Sequence, residues 1–208
     1  MGAICSAGFA SGDRFVVGHW DSSPLGPMVD VMWARPDGER VLLAQHQAAA
    51  AFVGAVYRFD SVEVSAINSR FDGRALSVDA PGLQLSMRGG RGWRLPFRRL
   101  RVPWFTRWVE GPLARLLLGV RTYGVSPTGV KEWYRAELYR PLVDASAVVA
   151  GRDLGPWVPF DRAVHFGFSE PPRRPSIVVV RPLLADPSGR LDRVLRPGDG
   201  AAIPGRRR

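Results

Sequence analysis

Between residues 14 and 88, apolar and polar positions mostly alternate with the period of two that marks a half-buried strand, and Gly, Pro and Asp punctuate the runs. The stretch RFVVGHW at 14–20 is rich in β-branched and aromatic residues and predicts a strand. A Pro- and Ser-containing loop over 21–27 follows. Residues 28–34 place Val29, Val31 and Trp33 on one face and Asp30 on the other. At Pro36-Asp37-Gly38 the chain turns, because Pro presets φ and Gly accepts a positive φ; residues 41–44 return as the second arm of a hairpin.

The period then changes. Residues 45–57 predict a helix: Ala48 to Ala51 have high helix propensity, and Phe52, Val53 and Val56 form a short apolar stripe. A meander comes next. Val62, Val64 and Ala66 alternate, as do Leu76 and Val78, then Leu83, Leu85 and Met87 against Gln84, Ser86 and Arg88. Turns at Asp72-Gly73 and Pro81-Gly82 separate the arms, an antiparallel signature.

In the second half, 122–130 reads as a loop from Gly124, Pro127 and Gly129. Residues 132–142 fit neither period cleanly, and the aromatic content of Trp133, Tyr134 and Tyr139 favours strand. Further strands are predicted at 143–150, at 163–169, where Val164, Phe166 and Phe168 alternate with His165, and at 176–182. From 185 onward hydrophobicity is low, which predicts a flexible basic tail over 185–208 and a single β-rich domain over 1–184. The pattern implies a mainly β (β-rich α+β) fold, an antiparallel barrel-like or sandwich architecture with one helix after the first hairpin.

One stretch departs from this pattern. Residues 88–121 carry nine Arg against the single acid Glu110, with Trp93, Phe97, Trp104, Phe105 and Trp108 between them. Helical turns over 103–110 and 112–118 would make it a mid-chain helical plug joining two strand-rich halves. Of the net charge of +10, this stretch supplies +8 and residues 173–208 supply +6, so the remaining body is mildly acidic. Lys131 is the only lysine, and the Arg, Ala, Gly and Pro bias is that of a GC-rich, bacterial-type coding sequence.

At 208 residues the chain is long enough for a sizeable core, and its apolar runs are far short of a membrane span. The opening residues lack the charged start and long apolar run of a signal peptide, so a cytoplasmic location is expected. A lone Cys5 excludes an internal disulfide and a cysteine-built zinc site. His19, His46 and His165 have no ligand-spaced partner, so no metal and no cofactor are expected. Gly124 to Gly129 lacks the spacing of a nucleophile elbow. Gly89-Gly90-Arg91-Gly92 lacks the ending of a phosphate loop and reads as a mobile turn.

The expected function is binding of a largely apolar, possibly acidic small molecule in the barrel interior. Trp20, Trp33, Trp133, Tyr134 and Phe166 would line the pocket, with Arg101 and Arg107 at its mouth. The alternative is a lyase, hydratase or isomerase acting on a small acid or isoprenoid-like substrate, with His19, Asp30, Lys131 and His165 as acid–base groups. A third reading assigns 88–121 a weak affinity for anionic membrane lipid or single-stranded nucleic acid.

Overall fold

The computed structural model describes residues 1–94 and 123–196, and it is organised around a strand that the alternation does not announce. This strand, β1 (Gly2–Phe9), is built of small residues and is covered on both faces, so it shows no polar side. β2 (Arg14–Trp20) pairs along one edge, from Gly2↔Trp20 to Gly8↔Arg14. Along the other edge run β15 (Ser176–Val180) and, at the far end, β14 (Trp157–Val158).

From β2 the sheet continues through β3 (Met28–Ala34) and β4 (Arg40–Ala44) as an antiparallel meander. Helix α1 (Gln47–Val56) then crosses over to β5 (Ser61–Val64), which lies parallel to β4, the pairing that requires such a crossover. The imidazole of His46 caps α1 by accepting from the Ala49 N–H at 3.1 Å, which sets the helix start two residues inside the predicted one. On the other side of β15 follow β12 (Ala136–Val149), β8 (Leu83–Gly89), β7 (Ala75–Ala80) and β6 (Asn68–Phe71). The short β13 (Arg152–Asp153) folds back on the end of β12.

The ten-strand path therefore ends in β5 and β6, which are consecutive in the chain. Only residues 65–67 join them, a link that spans no more than roughly 14 Å. The sheet must curl to bring its ends near each other, and the result is the mainly β, barrel-like fold expected from the pattern, a half-barrel in which 49% of the described residues are strand and 10% helix. Phe9, Phe15, Val17 and Val31 from one end share a concave-side core with Leu76, Leu85, Met87 and Leu142 from the other. On the convex side, Val16, Met28, Met32 and Leu42 pack under Ala49, Phe52, Val53 and Val56 of α1 and against Phe160, Val164 and Phe166. A small sheet lies against this second layer: β10 (Tyr123–Val125), β11 (Lys131–Trp133) and β16 (Leu183–Ala185).

Four expectations change. Gly89 belongs to β8 rather than to the turn, and the irregular Gly90-Arg91-Gly92 leads into β9 (Trp93–Arg94), which pairs with β12. A Cβ on Gly90 would lie 2.7 Å from Val143 Cγ1, and one on Gly92 2.5 Å from Arg140 Cγ, so these glycines serve close strand approach. Residues 163–169 are not a strand, because His165 takes φ of +53°, although Val164 and Phe166 are still buried. Part of the 122–130 loop forms β10. Beyond residue 185 the chain forms α2 (Arg190–Leu195), whose Leu191 is buried in the convex-side layer. The helical plug, with Arg101 and Arg107, lies outside the described residues. No described helix is long and apolar enough to cross a membrane.

Candidate functional site

The convex-side layer contains acids that the apolar packing does not explain. β11 alternates, with Lys131 outward and Glu132 inward and fully buried. Opposite Glu132 in the small sheet stands Gly124, where a Cβ would lie 2.1 Å from the Phe168 ring. That ring stacks on Tyr134 at 5.6 Å between centroids and 22° between planes. Tyr57, the C-cap of α1, reaches the same place from the other side. Its hydroxyl donates to Glu132 Oε2 at 2.8 Å, the Tyr134 hydroxyl donates to the same oxygen at 3.1 Å, and the two hydroxyls touch each other. Gly167 lets the chain pass over Tyr57, since a Cβ there would be 2.7 Å from its ring.

The second acid is on the sheet itself. Asp30 of β3 faces the convex side and is 1% exposed; its Oδ1 accepts from Trp20 Nε1 at 2.9 Å. The two side chains meet above Gly18, where a Cβ would lie 2.5 Å from both Asp30 Oδ1 and Trp20 Nε1. Asp30 Oδ2 and Glu132 Oε1 are both buried without a hydrogen-bond partner.

Burial dominates the electrostatics. It raises Glu132 from 4.5 to about 7 against the opposing hydrogen bonds of Tyr57 and Tyr134, and raises Asp30 from 3.8 to about 7 against that of Trp20. Tyr57 and Tyr134 are half-buried as residues, but their hydroxyl ends are enclosed, and burial first, then neighbouring acidic groups, holds both well above the usual phenol range. The Asp30 charge contributes to the shift at Tyr134, so the two acids share one electrostatic neighbourhood.

Of the residues picked out in the sequence, Trp20, Asp30, Tyr134 and Phe166 lie in this layer. Trp33 faces the concave side, stacked on Phe15 at 5.6 Å and donating to Asp13 Oδ1 at 2.8 Å. Trp133 packs on Tyr123 at 5.1 Å. The four acid–base candidates do not gather. Lys131 is exposed, the His165 side chain is 76% exposed beside Glu170, and His19 lies on the concave face, opposite Asp30. Sequence reasoning missed Tyr57, Glu132 and Phe168. The only trace of Glu132 was an acid flanked by Lys131 and two aromatic residues, a weak sign in a strand too short to show a period. Among the described residues no three His, Cys, Asp or Glu are grouped to hold a metal ion.

No known protein family matches the chain, and no curated protein resembles it at a significant level.

Proposed function

We propose that the chain binds a small, largely apolar molecule with an ammonium or other hydrogen-bond-donating head, seated between the convex sheet face and the small sheet. One observation carries the reading: Glu132 Oε1 and Asp30 Oδ2 are buried acceptors with nothing to accept from. An unsatisfied buried acceptor costs about 1–3 kcal/mol, and more when charged, and a donor-bearing ligand would recover that loss. The surrounding rings of Trp20, Tyr134, Phe166 and Phe168 suit a cation with an apolar body. Entry would pass the irregular segment 161–174, which covers the site through Gly167 and Phe168. The acidic head expected from sequence rested on Arg101 and Arg107; the acids at this site favour the opposite charge.

The test is thermal stabilisation by phenethylamine and hexylamine, against phenylpropionate and hexanoate, at pH 6 and pH 8. Amines should stabilise, more strongly at pH 8 where the acids are ionised, and Glu132→Gln should weaken the effect. Stabilisation by the carboxylates alone would restore the acidic-ligand reading. No response to any of the four would remove this one.

A further inference from the structure

On the opposite face of the sheet, side chains from two distant strands, β2 and the edge strand β6, meet beside one from the loop that follows β2. His19 ends the concave row Phe15, Val17, His19 of β2. Its Nδ1 lies 3.0 Å from Oγ of Ser69, which belongs to β6 at the far end of the sheet. Its Nε2 lies 3.6 Å from Asp21 Oδ1, and its ring packs on Phe71 at 5.7 Å between centroids. The contact thus joins the edge strand β6 to the interior strand β2 across the concave side, with the His19 side chain 18% exposed and Asp21 62% exposed.

We propose that Ser69, His19 and Asp21 form a nucleophilic site that hydrolyses small carboxylic esters. The order carboxylate–imidazole–hydroxyl is the one that activates a serine, and it is recognised by roles and geometry rather than by position in the chain. The Asp21 carboxylate, 3.6 Å from Nε2 and so beyond hydrogen-bond length, favours through its charge the tautomer with the proton there, which leaves Nδ1 to accept from Ser69.

The strand edge supplies a second element. The Asp72 N–H donates to Ala75 O at 3.2 Å, making that a hydrogen-bonded pair in the β6–β7 ladder. Antiparallel alternation then turns the backbone groups of Ser69 and Phe71 away from β7, toward the edge that no described strand occupies. Their N–H groups are therefore available to a developing oxyanion beside the nucleophile.

In the reaction, Ser69 Oγ attacks the ester carbonyl carbon as its proton passes to His19 Nδ1. Collapse of the tetrahedral adduct breaks the ester C–O bond, and the departing alkoxide takes that proton and leaves as the alcohol. Water then attacks the acyl-Ser69 ester, giving a proton to Nδ1. Ser69 leaves with it, and the acid is released. Ester and water become acid and alcohol, with no other reactant.

The experiment uses the full chain with p-nitrophenyl acetate, and diisopropyl fluorophosphate followed by peptide mapping. Ser69→Ala and His19→Ala should each lower the rate at least about 100-fold with the fold intact by circular dichroism. His165→Gln, an exposed histidine away from the site, should leave the rate unchanged. Asp21→Asn, a positioning change, should lower kcat with little effect on KM. The phosphoryl adduct should map to Ser69. If Ser69→Ala hydrolyses the ester as fast as wild type, the proposal is wrong. Should that variant fail to fold, the label on wild type decides: an adduct elsewhere, or none, overturns it.

Discussion

Glu132→Gln tests the central claim about the convex-side layer, that it holds acids whose protons are bound more tightly in the folded chain. The folded value of about 7 lies above the unfolded 4.5, so the folded state holds more protons between these limits. Its contribution to stability is thus complete below pH 4.5 and is lost as pH rises to about 7. At 1.36 kcal/mol per pH unit the loss from Glu132 is about 3 kcal/mol. Asp30, raised from 3.8 to about 7, adds a loss of about 4 kcal/mol over an overlapping window. The depressed carboxylates Asp60, Asp72 and Asp186 act in the opposite sense but titrate below 3.8, outside that range. The amide introduced by Glu132→Gln mimics the protonated acid and does not titrate. Wild type should therefore become less stable from pH 5 to pH 7.5, with a shallower slope in Glu132→Gln and almost none in Glu132→Gln with Asp30→Asn. Urea unfolding at pH 5, 6 and 7.5, followed by tryptophan fluorescence, measures this. The Glu132 share corresponds to roughly 6–12 °C in melting temperature for a chain of this size. A wild-type midpoint that stays flat or rises over the range, or a variant with the full slope, would refute the reasoning.

Other consequences are simpler to measure. Gly18→Ala would drive a methyl group into the Asp30–Trp20 hydrogen bond, and urea unfolding should show a loss of about 1–3 kcal/mol or more. Leu191→Ala should cost about 2–3 kcal/mol, because α2 buries this side chain; no change in midpoint would mean that the helix does not hold to the body. Cys5 is fully enclosed in β1, and burial pushes its thiol far up, so Ellman's reagent should label it only at the rate of global unfolding.

The parts of the fold that announced themselves have one buried face. β7 and β8 show it best: Leu76, Val78, Leu83, Leu85 and Met87 point inward between exposed polar neighbours. α1 was visible because its alanines and its stripe act over a short range. β1 was not, because GAICSAGF is buried on both faces, against the core on one and the convex-side layer on the other, and so shows no polar side. A strand in the middle of a sheet loses the polar half of its pattern. The same cause produced the opposite error at 163–169, where Val164 and Phe166 carry an inward alternation on an irregular backbone. Burial made the pattern there; pairing did not.

The candidate site was legible only in fragments, for a related reason. Trp20, Asp30 and Tyr134 each stood out as polar-tipped groups on apolar stretches, but what makes them a site is their meeting with Tyr57 and Glu132. Tyr57 comes from the end of α1 and Glu132 from a three-residue strand 75 positions later, and no local period links them. The glycines are the nearest thing to a written record of that meeting. Gly18, Gly124 and Gly167 each stand where a Cβ would enter a ring or polar group of the site. None of the three has the positive φ that would mark a turn glycine. A glycine inside a strand pattern, as at Gly18 between Val17 and His19, is costly unless something approaches closely. Here that something is the Asp30–Trp20 pair, so the unusual glycine and the buried acid report the same contact from two sides.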